Sequence, residues 1–389
     1  MASWLSLKLK IPLSPRGLSV RGGAGLLAQV LGISGLQALY DPSDLTSLYQ
    51  SRTGGSTGAV DSVVGIMLDK HSMGGKTAAN FIAGQSELAV NGDFSSGATG
   101  WTVSGNDGTH IATFSGGTLR FQSDTTSPTL LVNNSFSMTA GAWYQITTVC
   151  SAWTSGTVKE NNTNVAMASG VGTTVVVAKA LYSDFAGLTR SGTNVDLTID
   201  SISIKLIPGY HALAPSDAAR PILRAGYVDT DGVDDWMQIF PTLNLGEQWW
   251  HVGGWQSNTS GKHSFATSNA GTNRASLRNA SGAWSWRSSA DASVAIATGN
   301  CAVANVATLE QASTSSISGR YNGGGDLTIT PYDDSASTQG LALFSGNNAS
   351  YDAGIAGRFY GGAFGTGTLT STDRALLERY VAGLTGVAL

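Results

Sequence analysis

Hydrophobic and polar residues alternate with a period of two in many short stretches of residues 88–208. This period predicts β-strands that have one buried face and one exposed face. The clearest stretch is residues 195–206, where every second residue from Val195 to position 199 is aliphatic. The alternation resumes at Ile202 with inverted parity, which predicts a β-bulge near Asp200. Strands at this spacing, separated by turn residues, favour a β-sandwich.

Residues 209–389 show a similar β-rich pattern up to their C-terminal end, where the period changes. Thr370 and Asp373 stand at the spacing of a capping box. Apolar residues then recur at helical spacing, at Leu376, Leu377, Tyr380, Val381 and Leu384. This pattern predicts one amphipathic helix over residues 373–384. The predicted fold class is therefore mainly β, with two antiparallel β-sandwiches and a short C-terminal helix.

Residues 1–40 carry basic charges and no acidic ones. Alternation over residues 4–11 predicts a strand, and residues 26–31 predict a short helix. Lysines, prolines and an arginine interrupt the apolar positions, so we do not expect a signal peptide. Two interpretations carry equal weight: a docking or oligomerisation segment that needs a partner, or an edge strand of the next domain.

Residues 41–87 are interpreted as a connector. Asp41 is expected to cap a short helix with Pro42 at its first position, and residues 63–69 predict a short buried strand. With this connector, the predicted organisation has four parts: residues 1–40, 41–87, 88–208 and 209–389.

The composition supports folded β structure and excludes several classes. Of 389 residues, 50 are Gly, 41% are hydrophobic and only 12% are charged. Abundant turn-forming residues with few charges suit short strands better than long helices. The net charge of −4 argues against nucleic-acid binding, and the absence of a long apolar run argues against membrane insertion. Cys150 and Cys301 are interpreted as single buried thiols, one in each sandwich.

The start and end of residues 88–208 carry a motif pair. The start reads Asn91-Gly92-Asp93-Phe94 and then Gly100-Trp101, and the end reads Ile199-Asp200-Ser201-Ile202. The pair resembles jelly-roll carbohydrate-binding modules of the cellulose- and xylan-binding type. In that family a calcium ion often ties the first turn to the last strand, which implies Asp200, and more weakly Asp93, as calcium ligands. We favour the alternative, in which Asp93 caps a turn and Asp200 accepts backbone hydrogen bonds.

The third part resembles a second family. Residues 218–224 and 227–237, together with the C-terminal helix, resemble concanavalin-A-like, laminin-G-type sandwiches of bacterial and phage adhesins. The order of short motifs resembles that of phage tail or virion fibre proteins, with the jelly roll inserted before a lectin-like domain. Those motifs stand at residues 41–50, 64–70, 211–212 and 218–221.

Aromatic and polar residues of the lectin-like part are the candidate glycan-binding residues, because sugar rings stack on indoles and sugar hydroxyls pair with polar side chains. These candidates are Trp255, Trp284, Arg287, Asp234 and Asp235. Trp249 and Trp286 are interpreted as core, because large apolar residues at alternate positions fill sandwich interiors. The turn at residues 231–235 is also a possible cation site.

The resemblances imply a non-enzymatic virion protein, such as a tail fibre, tail tip or head spike, on the phage particle surface. Residues 1–40 would contact other virion proteins, and the two sandwiches would bind host-surface polysaccharide. A homo-oligomer such as a trimer would gain avidity from weak individual sites. Two alternatives remain open: a glycan-degrading hydrolase with an accessory binding module, and a ligand-free decoration or collar protein. No hydrolase motif with convincing context is present in the sequence.

Overall fold

The structure is a computed structural model that describes residues 23–127, 129–267, 276–287, 293–295, 300–313, 315–329, 340–346 and 354–389. The strand predicted over residues 4–11 lies outside these ranges. The fold is mainly β, as predicted, with antiparallel sheets and a C-terminal helix. No helix among the described residues is long and apolar enough to cross a membrane.

The elements of the N-terminal part come first in the chain. They are α1 (Gly23–Leu31), β1 (Leu36–Tyr40), a 3-10 turn (Leu45–Ser47), β2 (Leu48–Ser51), β3 (Gly54–Thr57), β4 (Ile66–Met67) and α2 (Ala78–Ala83). The strands of the next part are β5 (Trp101–Ser104), β6 (Ile111–Ser115), β7 (Thr118–Ser123), β8 (Leu131–Ser137), β9 (Trp143–Ser155), β10 (Val158–Glu160), β11 (Ala166–Ala168), β12 (Gly172–Lys179), β13 (Phe185–Arg190) and β14 (Val195–Ile207).

The C-terminal part contains the remaining strands and the last helix. These are β15 (His211–Leu213), β16 (Ile222–Arg224), β17 (Tyr227–Asp231), β18 (Met237–Phe240), β19 (Trp249–Ser257), β20 (Lys262–Ala266), β21 (Ser276–Ala280), β22 (Ala283–Arg287), β23 (Ser293–Ala295), β24 (Asn305–Ser313), β25 (Ser316–Tyr321), β26 (Leu327–Ile329), β27 (Ala342–Leu343), β28 (Ala356–Thr366) and α3 (Ser371–Thr385).

The strands β5 to β14 form two packed antiparallel sheets. Their orders are β11-β10-β13-β8-β5 and β12-β9-β14-β7-β6. Leu119, Ile146 and Ile199 are fully buried between the sheets, as the period-two pattern requires. The register of β14 against β9 shifts between Ile199 and Ser201, so the predicted bulge near Asp200 is confirmed.

The larger sandwich combines strands from both ends of the chain. One sheet has the order β16-β17-β28-β19-β24-β25-β26, and β1 pairs with the second half of β28. The other has the order β23-β22-β21-β20-β27-β18-β15-β4-β2-β3. Tyr40, Met67 and Trp249 share one hydrophobic core. Residues of β1, β2 and β4 are therefore integral to these sheets, and the chain between β4 and β15 contains the smaller sandwich. The predicted boundaries at 40, 87 and 208 stay predictions.

The two sandwiches meet across a close-packed junction. Trp143 is 1% exposed, and its indole N–H donates to the carbonyl oxygen of Phe240 at 3.0 Å. The amide of Val177 in β12 donates to Thr53, beside Gly54. Gly54 has a φ of +76°, and a Cβ there would lie 2.5 Å from the Val177 nitrogen. Only glycine suits both the backbone conformation and this close approach.

Helix α3 is bound to the larger sandwich by buried ion pairs as well as by its apolar face. The Thr370 hydroxyl accepts the Asp373 amide at 3.1 Å, so the predicted N-terminal cap is confirmed. Glu378 is 3% exposed and accepts two bonds from Arg320, at 2.6 and 2.5 Å. A third bond reaches Glu378 from the hydroxyl of Thr308 at 2.5 Å. Such a carboxylate needs all these donors, because an unpaired buried charge is costly.

The predicted helix capped by Asp41 was wrong. Asp44 caps a single 3-10 turn instead, accepting the Thr46 amide at 3.1 Å. Asp41 accepts the hydroxyl of Tyr380 at 2.8 Å, across 339 positions of sequence. The other carboxylate oxygen, Oδ1, accepts the amide of Ser43 at 3.0 Å, so Asp41 closes a local turn and no helix begins there.

Candidate functional site

Trp255 and Trp284 do not form a surface platform. Both are 0% exposed. The Trp255 ring lies 4.4 Å from Phe359, centroid to centroid, and its indole N–H donates to Nε2 of His251 at 2.9 Å. Neither indole presents a face to a ligand, so we no longer retain these two residues as glycan-binding candidates. Trp249 is also fully buried, as predicted. The side chains of Arg287 and Trp286 lie outside the described residues.

His251 is enclosed by the same aromatic core. Its ring stacks on Phe364 at 4.2 Å, and Nδ1 lies 2.9 Å from the Ala363 carbonyl oxygen. Burial lowers the pKa of His251 to about 3. The imidazole is therefore neutral, donating from Nδ1 and accepting at Nε2.

Asp234 and Asp235 belong to an acidic turn with Asp231. Among the described residues, this is the one group of three or more potential metal-ligating side chains whose ligand atoms lie within 4.8 Å of one another. Asp235 is 6% exposed and accepts the Asp231 amide at 2.9 Å. Burial, with the neighbouring Asp231 and Asp234 carboxylates, raises the pKa of Asp235 to about 6. The hydrogen bond from the Asp231 amide to Asp235 closes this turn locally. The roles of Asp234 and Asp235 in glycan binding stay predictions.

Asp93 and Asp200 are engaged by separate serine residues. The Oδ1 atom of Asp93 accepts both the amide and the hydroxyl of Ser95, which matches the alternative that Asp93 caps a turn. Asp200 accepts the hydroxyl of Ser151 on the neighbouring strand. Neither residue belongs to a three-ligand group within the described part of the chain. These two carboxylates alone do not make the oxygen cage that calcium prefers, and calcium binding stays a prediction.

A groove of about 350 Å³ opens at one end of the smaller sandwich. We call it the jelly-roll groove. The turn before β6 and the ends of β7, β9 and β14 converge there, so four chain segments supply its wall. Its lining is almost wholly polar: Gly108, Thr109, Gln122, Ser123, Asp124, Thr154, Ser155, Asn194, Val195 and Asp196.

A buried histidine organises one wall of this groove. His110 is 0% exposed, and its Nδ1 lies 2.9 Å from the hydroxyl of Ser123. Its Nε2 lies 3.3 Å from the Thr126 hydroxyl and 3.5 Å from the Asp124 carboxylate. The hydroxyl and amide of Thr126 hydrogen-bond Asp124 and lower the pKa of this carboxyl. Asp124 is therefore a fixed, ionised acceptor at the groove.

An ion pair and an exposed indole lie at or next to lining residues of the same groove. Arg120 holds Asp196 in a two-pronged pair, with N–O distances of 3.2 and 3.1 Å. Trp153 immediately precedes the lining residue Thr154 and is 43% exposed. Its indole N–H donates to the Gly156 carbonyl oxygen at 2.8 Å, which fixes the ring orientation. An exposed, oriented indole beside polar acceptors can stack on a sugar ring while the acceptors bind its hydroxyls.

Comparison with known proteins gives no family assignment. No family model matches the chain, and no curated protein matches it. One similar solved structure is the Ruminococcus gnavus IT-sialidase CBM40 bound to α2,3-sialyllactose. It is 13% identical, with a TM-score of 0.27, over 34% of this chain and 83% of that chain. Another is an arabinofuranosidase complexed with arabinofuranosyl-α-1,2-xylobiose, 11% identical, with a TM-score of 0.35, over 61% of this chain and 62% of that chain. Both are β-rich proteins, and at these scores neither likeness supports an argument about ligand or activity.

Neither Trp153 nor the jelly-roll groove was predicted from the sequence. The available signal was local: Trp153 stands among small polar residues, where the alternation of β9 breaks down. Two register shifts between β9 and β14 near this indole account for that break. Bulges of this kind re-aim side chains at sheet ends, and a pattern of strict alternation does not show where they point.

Proposed function

We propose that this chain is a non-enzymatic virion protein, a fibre, tail tip or spike, that binds a neutral glycan on the host surface. The observation that carries glycan binding is the polar jelly-roll groove together with the exposed, oriented indole of Trp153, the residue that precedes the lining residue Thr154. The virion location rests on the order of motifs along the sequence, and the assembly role of residues 1–40 rests on their basic, acid-free composition. A homo-oligomer would multiply weak single-site affinities through avidity.

The charge of the groove favours a neutral ligand. Asp124 is held ionised, and Asp196 is the lining carboxylate that pairs with an arginine, Arg120. Acidic saccharides would be repelled from such a surface. Hydroxyls of a neutral sugar, in contrast, donate well to carboxylate and amide oxygens.

Glycan-array binding and whole-cell binding by the full chain test this proposal. Trp153→Ala should weaken binding to neutral glycans by about tenfold or more, because it removes the stacking surface and the area buried against it. Phe185→Ala is the matched control, since Phe185 is 46% exposed on the other sheet. Neutral-glycan binding that is unchanged by Trp153→Ala, or absent in the full chain, would contradict the proposal.

Hydrolysis distinguishes the enzymatic alternative. The group of Asp231, Asp234 and Asp235 is the specific observation that favours the enzymatic alternative. The pKa of Asp235 is raised to about 6, and a carboxyl group with a raised pKa can serve as a general acid. Release of reducing ends from host polysaccharide that is lost in Asp235→Asn would favour this alternative. The non-enzymatic proposal expects intact polysaccharide after prolonged incubation.

A further inference from the structure

A second groove, of about 300 Å³, lies between the two sandwiches, away from the jelly-roll groove. We call it the interdomain groove. The turn between β2 and β3 supplies Arg52 and Thr53, and the end of β12 supplies Lys179. Thr163 and Asn164 come from the loop between β10 and β11. The groove exists only because the junction brings these distant segments together.

Two cations in this groove are held in place by contacts that leave their charges uncompensated. Nε of Arg52 donates to the carbonyl oxygen of Ala214 at 2.7 Å, and the ammonium of Lys179 lies 3.3 Å from the ring centroid of Phe240. Neither forms an ion pair with a carboxylate within the described part of the chain. Burial, and secondarily the charge of Arg52, lower the pKa of Lys179. Two partly buried cations that repel each other gain from an anion placed between them.

The remaining lining suits an organic ligand better than a bare inorganic ion. The hydroxyl of Thr163 is buried and has no hydrogen-bond partner among the described residues. Leu181, 47% exposed, and Leu213 add apolar surface to the same groove. A pyranose ring that carries a carboxylate offers hydroxyls for the threonine and C–H faces for the leucines. A carboxylate also matches the planar donor fork of arginine.

We propose that the interdomain groove binds the carboxylate of an acidic saccharide, with Arg52 and Lys179 as its two cationic contacts. This site is separate from the jelly-roll groove and takes the opposite class of sugar. A chain with both grooves would recognise a polysaccharide that contains uronate units, or two different glycans on one surface.

Titration calorimetry on the full chain tests the proposal, with oligogalacturonate as the probe. Its methyl ester, which keeps the sugar and removes the charge, and inorganic sulfate are the comparison ligands. We expect the oligogalacturonate to bind more tightly than both, and Arg52→Gln and Lys179→Met each to weaken it by about tenfold or more, since each removes a charged contact. Thr163→Val, nearly isosteric, should cause a smaller loss. Lys76→Gln removes the same charge at an exposed position and should leave binding unchanged.

The remaining outcomes decide the proposal. Trp153→Ala should leave oligogalacturonate binding intact, so failure of the neutral-glycan site and failure of this site are distinguishable. Sulfate that binds as tightly as oligogalacturonate would overturn the saccharide assignment. Equal binding of the ester and the acid, or binding unaffected by both Arg52→Gln and Lys179→Met in folded protein, would overturn the site.

Discussion

Two of the histidines enclosed in the larger sandwich, His211 and His251, should make the protein less stable in mild acid. Burial lowers the pKa of His251 to about 3 and that of His211 to about 4. Both are 0% exposed, and His211 accepts the amide of Asp69 at 2.9 Å, an arrangement that requires an unprotonated Nδ1. In the unfolded chain the same imidazoles have a pKa of about 6.5.

The sign of the effect follows from where each state binds protons. Folding depresses the pKa of both imidazoles, so the unfolded chain binds more protons than the folded chain below about pH 6.5. The stability that the two neutral histidines contribute is therefore fully present above about pH 6.5 and is lost as the pH falls toward their pKa values in the folded protein. About pH 5 is ~1.5 units below the pKa of the imidazole in the unfolded chain, so the unfolded imidazole is protonated there. Each histidine therefore lowers the free energy of unfolding by about 2 kcal/mol. Two such groups remove about 4 kcal/mol, a large share of the 5–15 kcal/mol that typically stabilises a protein.

Urea unfolding at about pH 7 and pH 5 measures this loss. His251→Gln keeps one donor and one acceptor but does not titrate, so it should reduce the loss by about 2 kcal/mol. His71→Gln, at a histidine that is not enclosed, controls for the substitution itself. Other groups, such as Asp235 with its raised pKa, contribute equally to the parent and the variant. NMR of labelled histidine gives a direct check, and an imidazole of His251 that protonates above pH 5.5 in folded protein would refute the reasoning.

Three further predictions concern packing and thiols. Glu378→Gln should lower the free energy of unfolding by about 3 kcal/mol in urea titrations, because it leaves the Arg320 guanidinium without its buried partner. Trp143→Ala should cost about 3–5 kcal/mol and separate the unfolding of the two sandwiches into two calorimetric transitions. Cys150 and Cys301 are both buried free thiols, and burial raises the pKa of each, so Ellman's reagent should label neither rapidly until urea unfolds the chain.

Each of these predictions has a result that would contradict it. Glu247→Gln, at an exposed glutamate, is the control for Glu378→Gln. Equal stability of the two variants would mean that the buried ion pair does not stabilise the fold. A single, unshifted transition in Trp143→Ala would mean that this indole does not couple the sandwiches. Rapid labelling of Cys301 in folded protein would contradict its burial.

The local patterns predicted those features that depend on a few neighbouring residues. Alternation located the strands around Val195, and the spacing of Thr370 and Asp373 located the cap of the last helix. These predictions were correct because side-chain direction and capping are decided within one strand or one helical turn.

Which aromatic residues are buried and which are exposed could not be predicted in the same way. Trp153 and Trp255 both lie in β-rich segments with polar neighbours, yet one is 43% exposed and the other is fully buried. The difference arises from what packs over each strand: the second sheet of the larger sandwich covers Trp255, while β9 ends in bulges at Trp153. Burial depends on contacts between residues far apart in sequence, which a period of two does not encode.

The sequence by itself determined that this protein is mainly β, where most of its strands run, and that two short motif sets bracket the smaller sandwich. Tertiary structure alone decided that strands β1 to β4 complete the sheets of the C-terminal sandwich and that the two sandwiches meet at Trp143. It also created both grooves, because the residues of each come from four separate segments. Local preferences fix strands and caps, whereas a binding surface needs side chains that only the packing of sheets and the junction bring within reach of one another.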